Sequence, residues 1–169
     1  MSMSRDFKFW LLTVGILIIA FIITIWVLEA QKKHIRNENI TYIDKLNTYY
    51  SKEIRSNTKA QLELLSKTFV WALRSEILRD NLEQANIYLS SLVKEDRFEL
   101  IVYADREGLI QLSTQKKIEG EPFEKHFNSA FLKNENVKIE FEDEKYKVSA
   151  PVMGLSHKLG TLYYEYSKK

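Results

Sequence analysis

Three histidines are the side chains best suited to proton transfer or metal ligation, and their spacing argues against both. His34 lies in a polar stretch, His126 between phenylalanines spaced at four, and His157 in a glycine-bounded turn, with no H-x-x-x-H pair. The densest acidic group is Glu140, Glu142, Asp143 and Glu144. Successive strand residues point to opposite faces, and the group lacks the spacing and glycine of a calcium loop, so it is expected to be a solvated hairpin tip. There is no cysteine, which excludes disulfides, thiolate metal sites and cysteine nucleophiles. Neither a G-x-S-x-G elbow, a phosphate-cradling glycine loop nor a paired-carboxylate arrangement can be placed. The expectation is a protein without catalysis, metal or cofactor.

Binding is the remaining chemistry. The polar residues available to a small ligand are Tyr103, Ser113, Thr114, Lys116, Lys117, His126 and Lys147. Lysines offer point charges to a carboxylate or other small anion. These groups would converge between one face of a sheet and the segment 113–131. The competing expectation is that Phe123, Phe127 and Phe131 fill that space. The 25 Lys and Arg against 23 Asp and Glu, a net charge of +2, argue against a nucleic-acid partner, where one sign should dominate a face.

Of the elements that must position these residues, the first is an uncharged run of twenty residues, 9–28, FWLLTVGILIIAFIITIWVL. As a helix it extends about 30 Å, the thickness of a bilayer's hydrocarbon core. Trp10 and Trp26 lie near its ends, where indoles favour the headgroup level. A signal peptide has a shorter apolar core and a small-x-small cleavage site, which Leu28-Glu29-Ala30 is not. Residues 9–28 are therefore expected to be a transmembrane helix in contact with membrane lipid, after a short cytoplasmic tail at 1–8. Lys and Arg are balanced on the two sides. The layout of a signal anchor places the remainder outside the cytoplasm.

Residues 29–63 contain neither Pro nor Gly and are expected to form a helical stalk with a thin seam of Ile35, Ile43, Leu46, Tyr50 and Ile54. So thin a seam should pair with a second copy or lean on another membrane protein; an exposed stalk is the alternative. Leu62, Leu65, Phe69, Leu73 and Ile77 then recur at three and four, a buried helical stripe. A bend is expected near Asp80, followed by a second stripe of Leu82, Ala85, Tyr88, Leu89 and Leu92.

Beyond Asp96 the period changes to that of strands. ELIVYAD (99–105) and LIQLST (109–114) flank Asp105-Arg106-Glu107-Gly108, the residues of a type I turn closed by a left-handed glycine. Gly120-Glu121-Pro122 should open a short helix with Phe123, Phe127 and Phe131 on one face. Val137, Ile139 and Phe141 alternate with charged residues, an acidic turn returns through Tyr146, Val148, Ala150 and Val152, and TLYYEYS (161–167) is last. The first and last strands are apolar on both faces and belong in the middle; the third and fourth belong nearer an edge. The fold class is α+β: a transmembrane helix continuing into a long helix packed on a five-stranded antiparallel sheet, with the phenylalanine helix on the other face.

IVYADREGLIQLST, EGEPF and KYKVSAPVMGLSHKLGTLYYEYS together resemble the Cache domains, the PAS-like extracytoplasmic sensor modules of bacterial chemoreceptors and histidine kinases. Asp105, Gly108, Ser113, Thr114, Gly120, Phe123, Ala150, Pro151 and Gly160 occupy the matching positions, mainly turns and packing contacts. The resemblance covers residues 64–169 and implies a sensory or protein-interaction subunit in a bacterial inner membrane, its domain periplasmic. The Tyr, Arg and Trp cluster of the amino-acid-binding members is absent; Trp71 and Arg74 are a loose echo of it. No output module follows Ser167, so a truncated chain or a subunit of a larger complex is expected. The layout also resembles, more weakly, the inner-membrane platform proteins of type IV pili and type II secretion, non-catalytic scaffolds. A last strand lying between the first and fourth would favour the PAS-like arrangement.

Overall fold

The structure, a computed structural model, describes the backbone of residues 5–168. The side chains of 5–13, 16, 30, 34, 35, 37–39 and 41 are outside that description, and with them the expectations for Trp10, His34 and Ile35. Residues 1–4 of the expected tail are outside it as well.

Helix α1 (Arg5–Ile77) takes in all of residues 29–63, the stretch read as a stalk without Pro or Gly. The chain divides into two compact units, Met1–Ile54 and Arg55–Lys169. In the first, ten large apolar side chains between Leu17 and Leu28 are each at least 47% exposed. Among the described residues, no helix is long and apolar enough to cross a membrane.

In the second unit α1 ends where expected. Asp80 takes a left-handed φ of 58°, and Asn81 caps α2 (Leu82–Leu92) by accepting a hydrogen bond from Gln84 N–H at 3.2 Å. Strands β1 (Phe98–Asp105), β2 (Ile110–Ser113), β3 (Lys138–Glu142), β4 (Lys145–Met153) and β5 (Lys158–Ser167) form one antiparallel sheet ordered β2-β1-β5-β4-β3. The last strand thus lies between the first and the fourth. β1 and β5, apolar on both faces, are interior; β4 is interior too, one place from the edge strand β3.

Local chemistry makes two of the three hairpins, β1–β2 and β3–β4. Gly108 donates its N–H to Asp105 O (3.1 Å) with φ +83°, the expected glycine-closed turn. Between the paired residues Glu142 and Lys145, Asp143 and Glu144 both have positive φ, as a two-residue type I′ turn requires. The acidic cluster is therefore a hairpin tip.

Each sheet face has its own core. One buries Leu62, Val70 and Leu73 of α1 and Ala85 and Leu89 of α2 against Ile101, Tyr103, Val148 and Tyr164. The other buries Ile118, Phe123 and Phe131 against Leu100, Val102 and Tyr163.

The expected phenylalanine helix is corrected. In its place are separate 3-10 turns at Phe123–Lys125 and Ser129–Phe131, preceded by another at Lys116–Ile118. Asn128 accepts a hydrogen bond from Ala130 N–H at 2.9 Å, and this side-chain cap starts a new turn where a helix would have continued. The segment still delivers three rings to one place.

Candidate functional site

That place is Tyr163. Its ring lies 5.5 Å from Phe123, 4.8 Å from Phe127 and 5.2 Å from Phe131, centroid to centroid. These are separations at which aromatic pairs attract. The Tyr163 hydroxyl donates to Glu165 Oε1 (3.1 Å); burial first, and the Glu165 charge second, push its pKa far above the ordinary value. Lys158 Nζ donates to Leu132 O (2.6 Å) and Asn134 O (3.1 Å), which ties the end of the turn segment to β5. Burial lowers the pKa of this lysine. The space beneath the turns is filled by rings.

The seven ligand candidates are dispersed around that filled core. Tyr103 is on the opposite face, in the helix-side core, where its hydroxyl donates to Leu159 O at 3.1 Å. Burial, then Asp105 and Glu107, raise its pKa to about 12. Ser113 is fully buried, and its hydroxyl oxygen accepts from Gln115 N–H. Thr114 Oγ1 accepts from Ile101 N–H at 3.1 Å and so continues the strand pairing where β2 ends. Lys116 Nζ bridges Asn86 Oδ1 (2.7 Å) and Glu119 Oε1 (2.6 Å), joining the turns to α2. Lys117 is exposed. His126 Nε2 pairs with Glu121, which also accepts from Lys125 Nζ at 2.7 Å. Lys147 is on the turn-side face of β4, but it donates to Glu142 Oε2 (2.6 Å), and that bond raises its pKa. Ser113, Thr114, Lys116 and Lys117 are chain neighbours; Tyr103, His126 and Lys147 do not join them.

A cleft exists elsewhere in this unit. It has a volume of about 200 Å³ and lies between α1 and the β3–β4 edge. Lys67, Val70, Trp71 and Arg74 form one wall, Glu135 to Val137 with Ala150, Pro151 and Met153 the other. None of the seven candidates lines it. Trp71 is 70% exposed. Among the described residues, Arg74 Nε is a buried side-chain nitrogen without a hydrogen-bond partner. Arg74 Nε is shut away from solvent, so the cleft presents the exposed indole but not that N–H, and its lining holds no nucleophile–base pair. Sequence reasoning missed this cleft: Trp71 and Arg74 stood out only as a poor match to a ligand-binding pattern, not as site residues. Glu135 and Met153 gave no signal, because only sheet pairing brings them beside the helix.

Among the described residues, no group of three or more His, Cys, Asp or Glu is placed to hold a metal ion. Compared with known proteins, the chain matches no family model. No curated protein matches it.

Proposed function

We propose that this chain is a single-pass membrane-anchored subunit presenting a PAS-like, Cache-type domain outside the cytoplasm, in a bacterial inner membrane. It works by protein interaction or sensing within a membrane complex, without catalysis. The observation that carries this reading is the strand order β2-β1-β5-β4-β3, with a long helix on one face and a turn-rich segment on the other. A fifth strand paired centrally favours the Cache-type reading over the secretion-platform scaffold.

The anchor rests on the uncharged run 9–28. Its described part exposes ten large apolar side chains, a surface that water disfavours and lipid would accept. The filling of the turn-side core by Phe123, Phe127, Phe131 and Tyr163 favours protein interaction over capture of a small ligand.

The test is fractionation of the full-length chain. Alkaline carbonate should leave it in the membrane pellet, and protease added to spheroplasts should digest the domain. Release into the supernatant would remove the anchor; a protected domain would reverse the orientation. Detergent pull-down should recover a membrane protein or a second copy. A melting temperature that rises with a metabolite and not with a protein partner would favour the sensor.

A further inference from the structure

The sheet has two edges, and the chain closes one of them itself. Along β2, Ile110 N–H donates to Glu121 O (3.0 Å), Gly120 N–H donates to Ile110 O (2.8 Å), and Ser113 N–H donates to Glu119 Oε1 (2.8 Å). The outer side of β2 is thus taken by the segment 119–121. β3 is the other edge. Glu142 and Lys145 flank the two-residue type I′ turn and so form a hydrogen-bonded pair; Glu140 with Lys147 and Lys138 with Ser149 are the next such pairs. The N–H and C=O groups of Val137, Ile139 and Phe141 therefore point away from β4. Among the described residues, none of these groups has a hydrogen-bond partner.

The side chains of this edge divide by face. Val137, Ile139 and Phe141 pack against the helix-side core but stay half-buried, whereas Val148 and Tyr146, opposite the last two on β4, are fully buried. On the other face Lys138 Nζ lies 2.8 Å from Glu140 Oε1, with the two side chains 38% and 43% exposed. Charges on an edge strand ordinarily discourage a second edge. These two are arranged so that the edge complements itself.

We propose that β3 pairs antiparallel with β3 of a second copy about a two-fold axis at Ile139, joining the two sheets into one. In that register Lys138 of each copy lies opposite Glu140 of the other, Ile139 meets Ile139, and Val137 meets Phe141. The hydrogen-bonded pairs are then 139 with 139 and 137 with 141, which uses all the outward groups. Lys138 and Glu140 fall at non-hydrogen-bonded pairs, where Cα atoms are about 4.5 Å apart and side chains are closest. An axis at Lys138 or Glu140 sets that residue against itself, and one at Phe141 sets Glu140 against Glu142; like charges directly opposite are destabilising. The charge pattern thus selects one register and one partner. The axis is normal to the sheet, so the faces are kept, and the half-buried apolar residues of the two copies cover one another. Residues 137–141 on each side are far fewer than the roughly 20–30 of a stable interface, so the pairing is weak and concentration-dependent. It uses only the sheet edge and does not rest on the membrane anchor.

The chain has no cysteine, so an introduced one is its only thiol. Full-length Lys138→Cys and Glu140→Cys chains, carrying different affinity tags, are oxidised mildly, each alone and as an equal mixture. In the mixture the two thiols are directly opposite, within the Cα range of about 4.4–6.8 Å that a disulfide needs, and the second Lys138–Glu140 pair stays intact. Within either variant alone the thiols are diagonal neighbours about 7–8 Å apart, and both ion pairs are lost. The mixed disulfide should form several times faster than either single-variant dimer, with the exposed Lys117→Cys as background. Equal rates, or a mixed rate no higher than background, would overturn the proposal. A second measurement follows the Ile139→Cys disulfide, whose Cα atoms would be about 5.5 Å apart. Adding Lys138→Glu or Glu140→Lys should slow it several-fold, and adding both to one chain should restore it. A combined variant that stays slow, with circular dichroism like the parent's, would mean that some other partner takes this edge and would also overturn the proposal.

Discussion

Gly160 is the position where one methyl group should disturb the sheet most. Its partners are Asp105 on β1 and Val152 on β4, so it sits between the two central neighbours of β5. A Cβ built there falls inside van der Waals contact with the Ala104 carbonyl oxygen, 2.7 Å from Tyr103 Cε2 and 2.8 Å from the Tyr103 hydroxyl. The nearest obstacle is backbone, and the Tyr103 ring is held by its bond to Leu159 O. Neither can swing aside as a flexible side chain would. In Gly160→Ala, β5 must therefore move away from β1 and weaken ladder hydrogen bonds that each contribute about 1 kcal/mol. Overpacking of this kind and the lost bonds together cost about 2–4 kcal/mol. For a domain of this size that lowers the midpoint by about 10–15 °C. Gly108→Ala is the comparison. Its cost is the left-handed φ of +83° and a contact of 3.1 Å with the movable Leu132 Cδ1, about 1–2 kcal/mol. Near-ultraviolet circular dichroism of the buried tyrosines, followed through thermal unfolding, reads both variants. A Gly160→Ala midpoint equal to or above that of Gly108→Ala would refute the close approach of β1 and β5 on which the reasoning depends.

Two further outcomes test how the helix and the turns are held. Tyr164, fully buried on β5, donates to Leu62 O at 3.2 Å and lies 2.8 Å from Ser66 Oγ, which itself donates to Leu62 O at 2.7 Å. Tyr164→Phe and Ser66→Ala should each destabilise by about 1 kcal/mol, and in urea titrations the double variant should lose less than the sum, because the two hydroxyls share one acceptor. Strict additivity would mean that they act independently. Glu121 is held below its ordinary carboxylate value of 4.5, first by the bond from Lys125 and then by that from His126. Its folded pKa is the depressed one, so the tie stabilises the folded state above about pH 4.5 and is lost as pH falls through the folded value. A carboxyl NMR titration should place Glu121 below 4.5 and Lys125→Met should raise it; a midpoint at or above 4.5 in the parent chain would contradict the pairing.

What residue order determined by itself is local and periodic. The stripe from Leu62 to Ile77, the break at Asp80, the Asp105–Gly108 turn and the acidic hairpin tip all follow from contacts within a few residues, where propensity and spacing act. The central places of β1 and β5 also follow, since a strand apolar on both faces must be covered on both. The phenylalanine segment shows where such reading stops. A four-residue spacing was present, but Asn128 supplied a competing cap and Tyr163, more than thirty residues away, supplied the surface on which two short turns and the residues between them lay three rings. The ligand candidates dispersed for the same reason. Whether Tyr103 and Lys147 face one another depends on strand register, and each one-residue step along a strand reverses the face. Only the folded sheet decided that the two lie on opposite sides, and only it brought Glu135 and Met153 beside Trp71 and Arg74. These are contacts between residues far apart in the chain, and no short-range pattern encodes them.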